Sequence, residues 1–287
     1  MISDNQTNKI YFSELLKTDL RFTETCNQIT GTLDLFGVKY EFLQKTKDIW
    51  ARDYMPIQVS MDKFVEYRYD PDYLQGTKKQ TKEEGREIKT YPDIVCDALS
   101  LKTIKTDIIL DGGNVVKSQN YIILTDKIFT ENKHWYDKTS LVKQLEALFE
   151  VEHAVLIPWP KVEEYGHTDG MLRFIDDETV LINEIEKTPT LEKRLKDHGL
   201  KWEYLHFDVK KPDEEINWGY INFLQTKDII LLPKFNIEED EQAFEKMKIY
   251  YPEYARKNRI VQVKMSDIIK HGGALNCISW TIKHQYE

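Results

Sequence analysis

Tyr121-Ile122-Ile123-Leu124-Thr125, Thr179-Val180-Leu181-Ile182-Asn183 and Asp228-Ile229-Ile230-Leu231-Leu232-Pro233 are three short, β-rich runs, each closing on a turn. They stand about 50 to 60 residues apart, the spacing of repeated supersecondary units, and they read as buried strands. The segments C-terminal to these runs repeat as well. Leu141, Leu145, Leu148 and Phe149 lie at helical spacing, as do Leu191, Leu195 and, more loosely, Leu200, and again Ala243, Phe244, Met247 and Tyr250. Each helix gives way to another strand-like run: Ala154-Val155-Leu156-Ile157, Trp202-Glu203-Tyr204-Leu205 and Ile260-Val261-Gln262-Val263. The unit is strand, strand, helix, strand. Before each unit sits a Gly-bearing turn: Asp111-Gly112-Gly113-Asn114, Gly166-His167-Thr168-Asp169-Gly170 and Trp218-Gly219-Tyr220.

Two further partial units are expected, one through Tyr40 to Val59 and one completed by the run from Asn276 to Ile282. Five such ββαβ units can close around an axis and so remove exposed sheet edges, as propeller-like α/β folds do. The segment from Asp70 to Pro92, rich in Lys, Glu, Gln and Gly, breaks the pattern and reads as a surface insertion, either a flap or a solvated loop. No interdomain linker is evident, so residues 1–287 are expected to form a single domain.

Composition sets outer limits. The chain has 287 residues and a formal net charge of −9, with 41% hydrophobic and 31% charged residues, which excludes a disordered chain and a membrane-spanning one. An acidic total without a clustered Lys/Arg face argues against nucleic acid and suits a cationic partner. No run approaches ~20 apolar residues and the first 20 residues carry no signal-peptide pattern, so a cytoplasmic protein that does not engage membranes is expected. Cys26, Cys96 and Cys277 are odd in number and widely spaced, which indicates neither a disulfide framework nor a structural zinc site.

Three clusters carry reactive groups. Cys277 follows the Gly272-Gly273 turn, where a thiol can be presented to a cleft. By position alone, burial as a small hydrophobe is the commoner role, and it is the reading for Cys26 and Cys96. In an extended chain His167 and Asp169 face one side, giving a proton-transfer group beside an anion; a metal pair or a simple turn also fits the spacing. In Asp48-Ile49-Trp50-Ala51-Arg52-Asp53-Tyr54-Met55-Pro56, either Arg52 and Asp53 form an internal ion pair, or Asp53 binds a cation while Arg52 makes structural contacts and Trp50 forms an apolar wall. Together, one thiol, one His and two Asp on turns of a repeating unit are what attack on the central carbon of a guanidinium needs. That group is planar, permanently charged and matched by carboxylates.

Taken in order, Trp50-x-Arg52-Asp53-x-x-Pro56, Asp111-Gly112-Gly113-Asn114, Gly166-His167-x-Asp169-Gly170, Tyr220-x-Asn222-Phe223 with Pro233-x-Phe235, and Gly272-Gly273 through Cys277 resemble the agmatine deiminase and Porphyromonas-type peptidylarginine deiminase family. The resemblance implies a five-bladed α/β propeller of pseudo-symmetric repeats. It implies Cys277 as nucleophile, His167 as general acid/base, Asp53 and Asp169 as guanidinium-binding carboxylates, and Trp50, Asn222 and Asn114 as groups around the substrate. The Asp111-to-Asn114 turn is expected to shape the cavity, without a catalytic duty for Asp111.

The sequence departs from the family pattern at Met55, where Gly commonly precedes Pro, and at Gly273-Ala274-Leu275-Asn276, where Gly-Asn-x-His often leads to the Cys. The implied reaction is hydrolysis of agmatine to N-carbamoylputrescine and ammonia, a step toward putrescine, with no metal or organic cofactor. Two alternatives stand beside it: deimination of arginine in peptides, and a non-catalytic binding propeller. Glu163 and Glu164 are candidates to meet a cationic substrate tail, and His271 to assist proton transfer.

Overall fold

In the computed structural model, which describes residues 1–77, 80–160 and 165–285, each repeat folds as a three-stranded sheet. The first strand pairs antiparallel with the second, and the second pairs parallel with the third after a helical crossover. Strands β1 (Lys9–Ser13) and β2 (Lys39–Leu43) flank the helix Thr23–Phe36. Strands β3 (Ile57–Gln58), β4 (Phe64–Arg68) and β5 (Ile104–Ile109) form the next sheet, followed by β6 (Val116–Lys117), β7 (Tyr121–Thr125) and β8 (His153–Ile157). The last two complete triads are β9 (Leu172–Phe174), β10 (Thr179–Asn183) and β11 (Lys201–Leu205), then β12 (Leu224–Gln225), β13 (Ile230–Lys234) and β14 (Ile260–Lys264). The final strand, β15 (Ser279–Ile282), returns to pair antiparallel with β1, Tyr11 opposite Trp280, so the two ends of the chain share one blade. Five blades result, and the fold is the five-bladed α/β propeller that the repeats predicted.

The middle strands are buried because both faces are covered. β7, β10 and β13 are apolar almost without interruption, as strands flanked by a parallel neighbour and a covering helix must be. The crossover helices take their ends from local chemistry. Asp137 caps Lys138–Phe149 by accepting from Ser140 N, and Leu141, Leu145 and Phe149 turn inward. Thr188 caps Pro189–Asp197 in the same way, and Leu191 and Leu195 are its buried face.

The proposed unit through Tyr40 to Val59 is corrected: it spans a blade boundary. Tyr40 closes the first blade in β2, whereas Ile57 opens the second in β3, and between them lies the short helix Ala51–Tyr54. The Asp70–Pro92 insertion is no simple solvated loop. It contains a helical turn, Asp72–Leu74, and the helix Lys82–Ile88, which is closed at its start by a reciprocal Thr81–Glu84 capping box. Asp70 ties it down by accepting from Lys89, Gln75 and Arg68 at 2.8, 2.5 and 3.0 Å. Among the described residues no helix is long and apolar enough to cross a membrane.

Candidate active site

Every blade is entered through a short turn, and these turns meet at the centre. Ala51–Tyr54, Gly112–Asn114, Thr168–Gly170 and Asn217–Ile221 are helical turns preceding β3, β6, β9 and β12, and the loop carrying Cys277 precedes β15. The His167–Asp169 segment is therefore not extended. His167 caps the turn and Asp169 lies inside it, yet both still face one cavity.

Cys277 is buried and closely held. Asn222 Oδ1 accepts from the backbone N–H groups of Ala274, Asn276 and Cys277 at 3.2, 3.1 and 3.2 Å, while Asn222 Nδ2 donates to Cys277 Sγ at 3.2 Å. The thiol reaches Asp169 Oδ2 at 3.5 Å, an oxygen that also accepts from Asn276 Nδ2 at 2.6 Å. The other Asp169 oxygen is buried and, among the described residues, has no hydrogen-bond partner. Burial, then the charges of Asp169 and Asp53, push the Cys277 thiol well above its ordinary pKa.

His167 sits between two carboxylates, its Nδ1 3.6 Å from Asp53 Oδ1 and its Nε2 3.2 Å from Asp111 Oδ2. Burial alone lowers the imidazole pKa, but Asp53 and Asp111 outweigh it and raise it to about 9. Asp53 accepts from Gly113 N at 3.2 Å; burial, with Asp169 and Asp111 adding to it against the His167 charge, lifts its carboxyl to about 7. Gly113 is required here, because a Cβ would lie 2.5 Å from Asp53 Oδ1 and 2.6 Å from His167 Nδ1. Gly273 makes the matching allowance for Trp50, whose ring would meet an added Cβ at 2.3 Å.

Asp111, expected only to shape the cavity, is the orienting carboxylate of His167. Its Oδ2 also takes Lys127 Nζ at 2.5 Å, and Lys127, fully buried, lies 3.4 Å from Asp72 and 4.8 Å over the Tyr73 ring. Burial works against ionisation of Asp111, but Lys127 and His167 hold its pKa below the usual value. The insertion is thus wired to the histidine through Lys127. Asn114, expected among the substrate contacts, lies behind the site: its Oδ1 accepts from Thr125 N, Thr125 Oγ1 and Thr168 Oγ1 at 2.8, 3.0 and 2.9 Å, and it lines neither central cavity.

Two cavities meet at Cys277, His167, Tyr165 and Gly272. One, about 300 Å³, is walled by Trp50, Asp53 and the insertion residues Tyr73, Leu74, Thr77 and Gln80. The other, about 350 Å³, is walled by Asp169, Met171, Ile185, Glu186, Trp218 and Asn222. Tyr73 packs its edge on Tyr165 with centroids 5.2 Å apart and faces His167 at 6.1 Å. His271 is exposed at the mouth and packs against Phe22, 5.5 Å between centroids. Glu163 and Glu164 lie outside the described residues. Cys26 and Cys96 are buried in the apolar core, as expected. Among the described residues no group of three or more His, Cys, Asp or Glu side chains is arranged to hold a metal ion.

Sequence reasoning missed Asp111, Lys127, Tyr73 and Tyr165. Asp111 was within reach, since it opens the Gly-Gly turn already singled out.

A pseudo-symmetric α/β propeller with a thiol, an imidazole and carboxylates on its central turns defines a narrow class, and comparison with known proteins narrows it further. The profile of the Porphyromonas-type peptidyl-arginine deiminase family matches residues 14–282, and the chain belongs to that family. A Mycoplasma capricolum protein named "Putative agmatine deiminase" is 22% identical over 223 residues, 64% of this chain. That match spans 60% of the relative's length. The solved agmatine deiminase of C. jejuni superposes with a TM-score of 0.73 at 17% identity, covering 99% of this chain and 96% of that one; its Cys-to-Ser variant is solved with substrate bound. The Enterococcus faecalis agmatine deiminase gives a TM-score of 0.71 at 16% identity over 100% of this chain and 96% of that one. At these identities the structural likeness establishes a shared fold.

Proposed function

We propose that the protein hydrolyses a small guanidino compound, agmatine in the first instance, to the ureido product N-carbamoylputrescine and ammonia. The observation that carries the reading is the convergence of Cys277, His167, Asp53 and Asp169 at one pair of joined cavities. Family membership and the agmatine deiminases among its structural neighbours support it.

The chemistry is set by the charges. A guanidinium entering beside Asp53 and the unpartnered oxygen of Asp169 meets carboxylates placed to take its fork of N–H donors. Its positive charge also offsets the acids that, with burial, hold the Cys277 thiol protonated, so the thiol releases its proton to bulk water when substrate binds. The sulfur adds to the central guanidinium carbon. His167, protonated in the resting site, donates to one NH2 group, the C–N bond breaks and ammonia leaves, with an S-alkylthiouronium on Cys277 and a neutral imidazole remaining.

Water then enters. His167 takes its proton as the oxygen bonds to the same carbon, and collapse breaks the C–S bond. The hydroxyl proton returns with the sulfur, which restores the thiol and the imidazolium. Asp111 holds the imidazole by Nε2, which leaves Nδ1 on the side of Asp53. Trp50 walls the cavity beside the reacting carbon.

The roof formed by Tyr73, Leu74, Thr77 and Gln80 favours a small free substrate over an arginine within a protein chain. The test is ammonia release from agmatine and from a blocked arginine peptide, with wild type and Cys277→Ala. Release from agmatine by wild type alone supports the reading, and release that survives loss of the thiol overturns it.

A further inference from the structure

Asp53 faces the central cavity, but its neighbour Arg52 lines a different, much smaller one, of about 10 Å³, together with Lys117, Gly112 and Thr281. That is room for one water-sized guest. Arg52 and Lys117 are both more than nine-tenths buried, and among the described residues no carboxylate lines this pit. Thr281 Oγ1 is buried there and, among the described residues, has no hydrogen-bond partner.

The wider charge balance points the same way. Arg52 makes no ion pair among the described residues; its one side-chain bond is from Nε to Asn276 O at 3.4 Å. Among the described residues the one ion-pair partner of Lys117 Nζ is Asp4 Oδ1, at 3.5 Å, and Asp4 Oδ2 is already taken by Arg173 Nη2 at 2.7 Å. Burial works against ionisation of Asp4, yet Lys117, Arg173 and Arg52 hold its carboxyl at about 2. Lys117 and Arg173 therefore share Asp4, with Asp176 and Asp177 lining the cavity on that side, whereas Arg52 meets no carboxylate among the described residues and none lines the pit. Burying charge without a counter-charge is costly, and a buried hydroxyl left unpaired adds to that cost. A neutral water would satisfy Thr281 but leave Arg52 uncompensated.

We infer that the pit between Arg52 and Lys117 is a binding site for one monatomic anion of the chloride class. Guanidinium and ammonium N–H groups and the Thr281 hydroxyl supply the donors, and the volume excludes phosphate, sulfate and carboxylates. The site is coupled to the central turns: Arg52 N donates to Cys277 O at 3.0 Å, so an anion that fixes Arg52 also fixes the loop that carries the thiol.

The experiment is thermal unfolding of the full chain in sodium chloride or bromide, with ionic strength held constant by sodium gluconate, whose anion is too large to enter. Wild type should show a saturable rise of roughly 3 °C at ten times Kd. Lys117→Met should lose the halide-specific part. An equal halide increment in Lys117→Met, or none in wild type, overturns the inference. Crystals of wild type grown in bromide give a second measure that needs no variant: an anomalous peak between Arg52 and Lys117 supports the site, and its absence there overturns it.

Discussion

Asn222 holds more of the nucleophile loop than any other side chain, and replacing it separates two of its duties. In Asn222→Ala the backbone N–H groups of Ala274 and Cys277 lose their acceptor, Asn276 N keeps only the Asn222 backbone carbonyl at 3.0 Å, and Sγ loses its amide donor. A buried donor left unsatisfied costs about 1–3 kcal/mol, and the two on this loop share relaxation, so a loss of about 3 kcal/mol is expected. For a chain of this size that lowers the thermal midpoint by roughly 5–10 °C. Asn222→Asp keeps an acceptor oxygen for the three N–H groups but sets a negative charge where the amide faced sulfur. Its melting loss should be smaller and its thiol less acidic still.

The assay pairs thermal unfolding with the pH dependence of Cys277 alkylation by iodoacetamide, read by mass spectrometry. The expected order of melting loss is Ala above Asp, and of alkylation onset Asp at higher pH than wild type. An Ala variant that melts within about 0.5 kcal/mol of wild type, the size of an ordinary surface change, would refute the claim that Asn222 pins the loop.

The same geometry yields other expected outcomes. His167 is raised from 6.5 to about 9, and a raised group contributes stability that is fully present below the unfolded pKa and is lost as pH rises through the folded one. The shift corresponds to about 3 kcal/mol lost between pH ~6.5 and ~9, and Asp53, raised to about 7, adds the same sign at lower pH. The thermal midpoint should therefore fall across this window in wild type, and a flat profile, or an unchanged slope in His167→Asn, contradicts the assignment. Tyr73→Ala removes the ring that spans Lys127 and Tyr165; it should raise KM for agmatine about tenfold with kcat within threefold, and a loss confined to kcat would show that the insertion does not wall the substrate.

The central three blades were readable because their middle strands are uninterrupted apolar runs followed by helices with periodic leucines. The other two were obscured by their construction. One takes β15 from the tail of the chain and β1 and β2 from its head, so no window of sequence contains it. The other has a middle strand, β4, that carries Glu66 and Arg68 in place of an uninterrupted apolar run, and the polar Asp70–Pro92 insertion separates it from β5. The Trp50-to-Pro56 stretch looked like part of a unit, but it is the turn that crosses the centre between two blades.

At the site, Cys277, His167, Asp53 and Asp169 were findable because their residue types define one chemistry. Lys127 was not, since a fully buried lysine has no sequence signal; its partner Asp111 stood in a quoted motif, but glycine content alone accounts for that turn and drew attention from the acid. The insertion misled through its polar composition. Tyr73, Leu74 and Ile88, its apolar residues on the cavity, are a small minority of it.

The most direct test of the account is the mass of the protein itself during turnover. Wild type mixed with agmatine and quenched in acid within milliseconds should carry an adduct equal to agmatine less ammonia, and peptide mapping should place it on Cys277. Ammonia release with no adduct on Cys277, or an adduct of that mass on another residue, would contradict the claim that this sulfur forms the covalent bond.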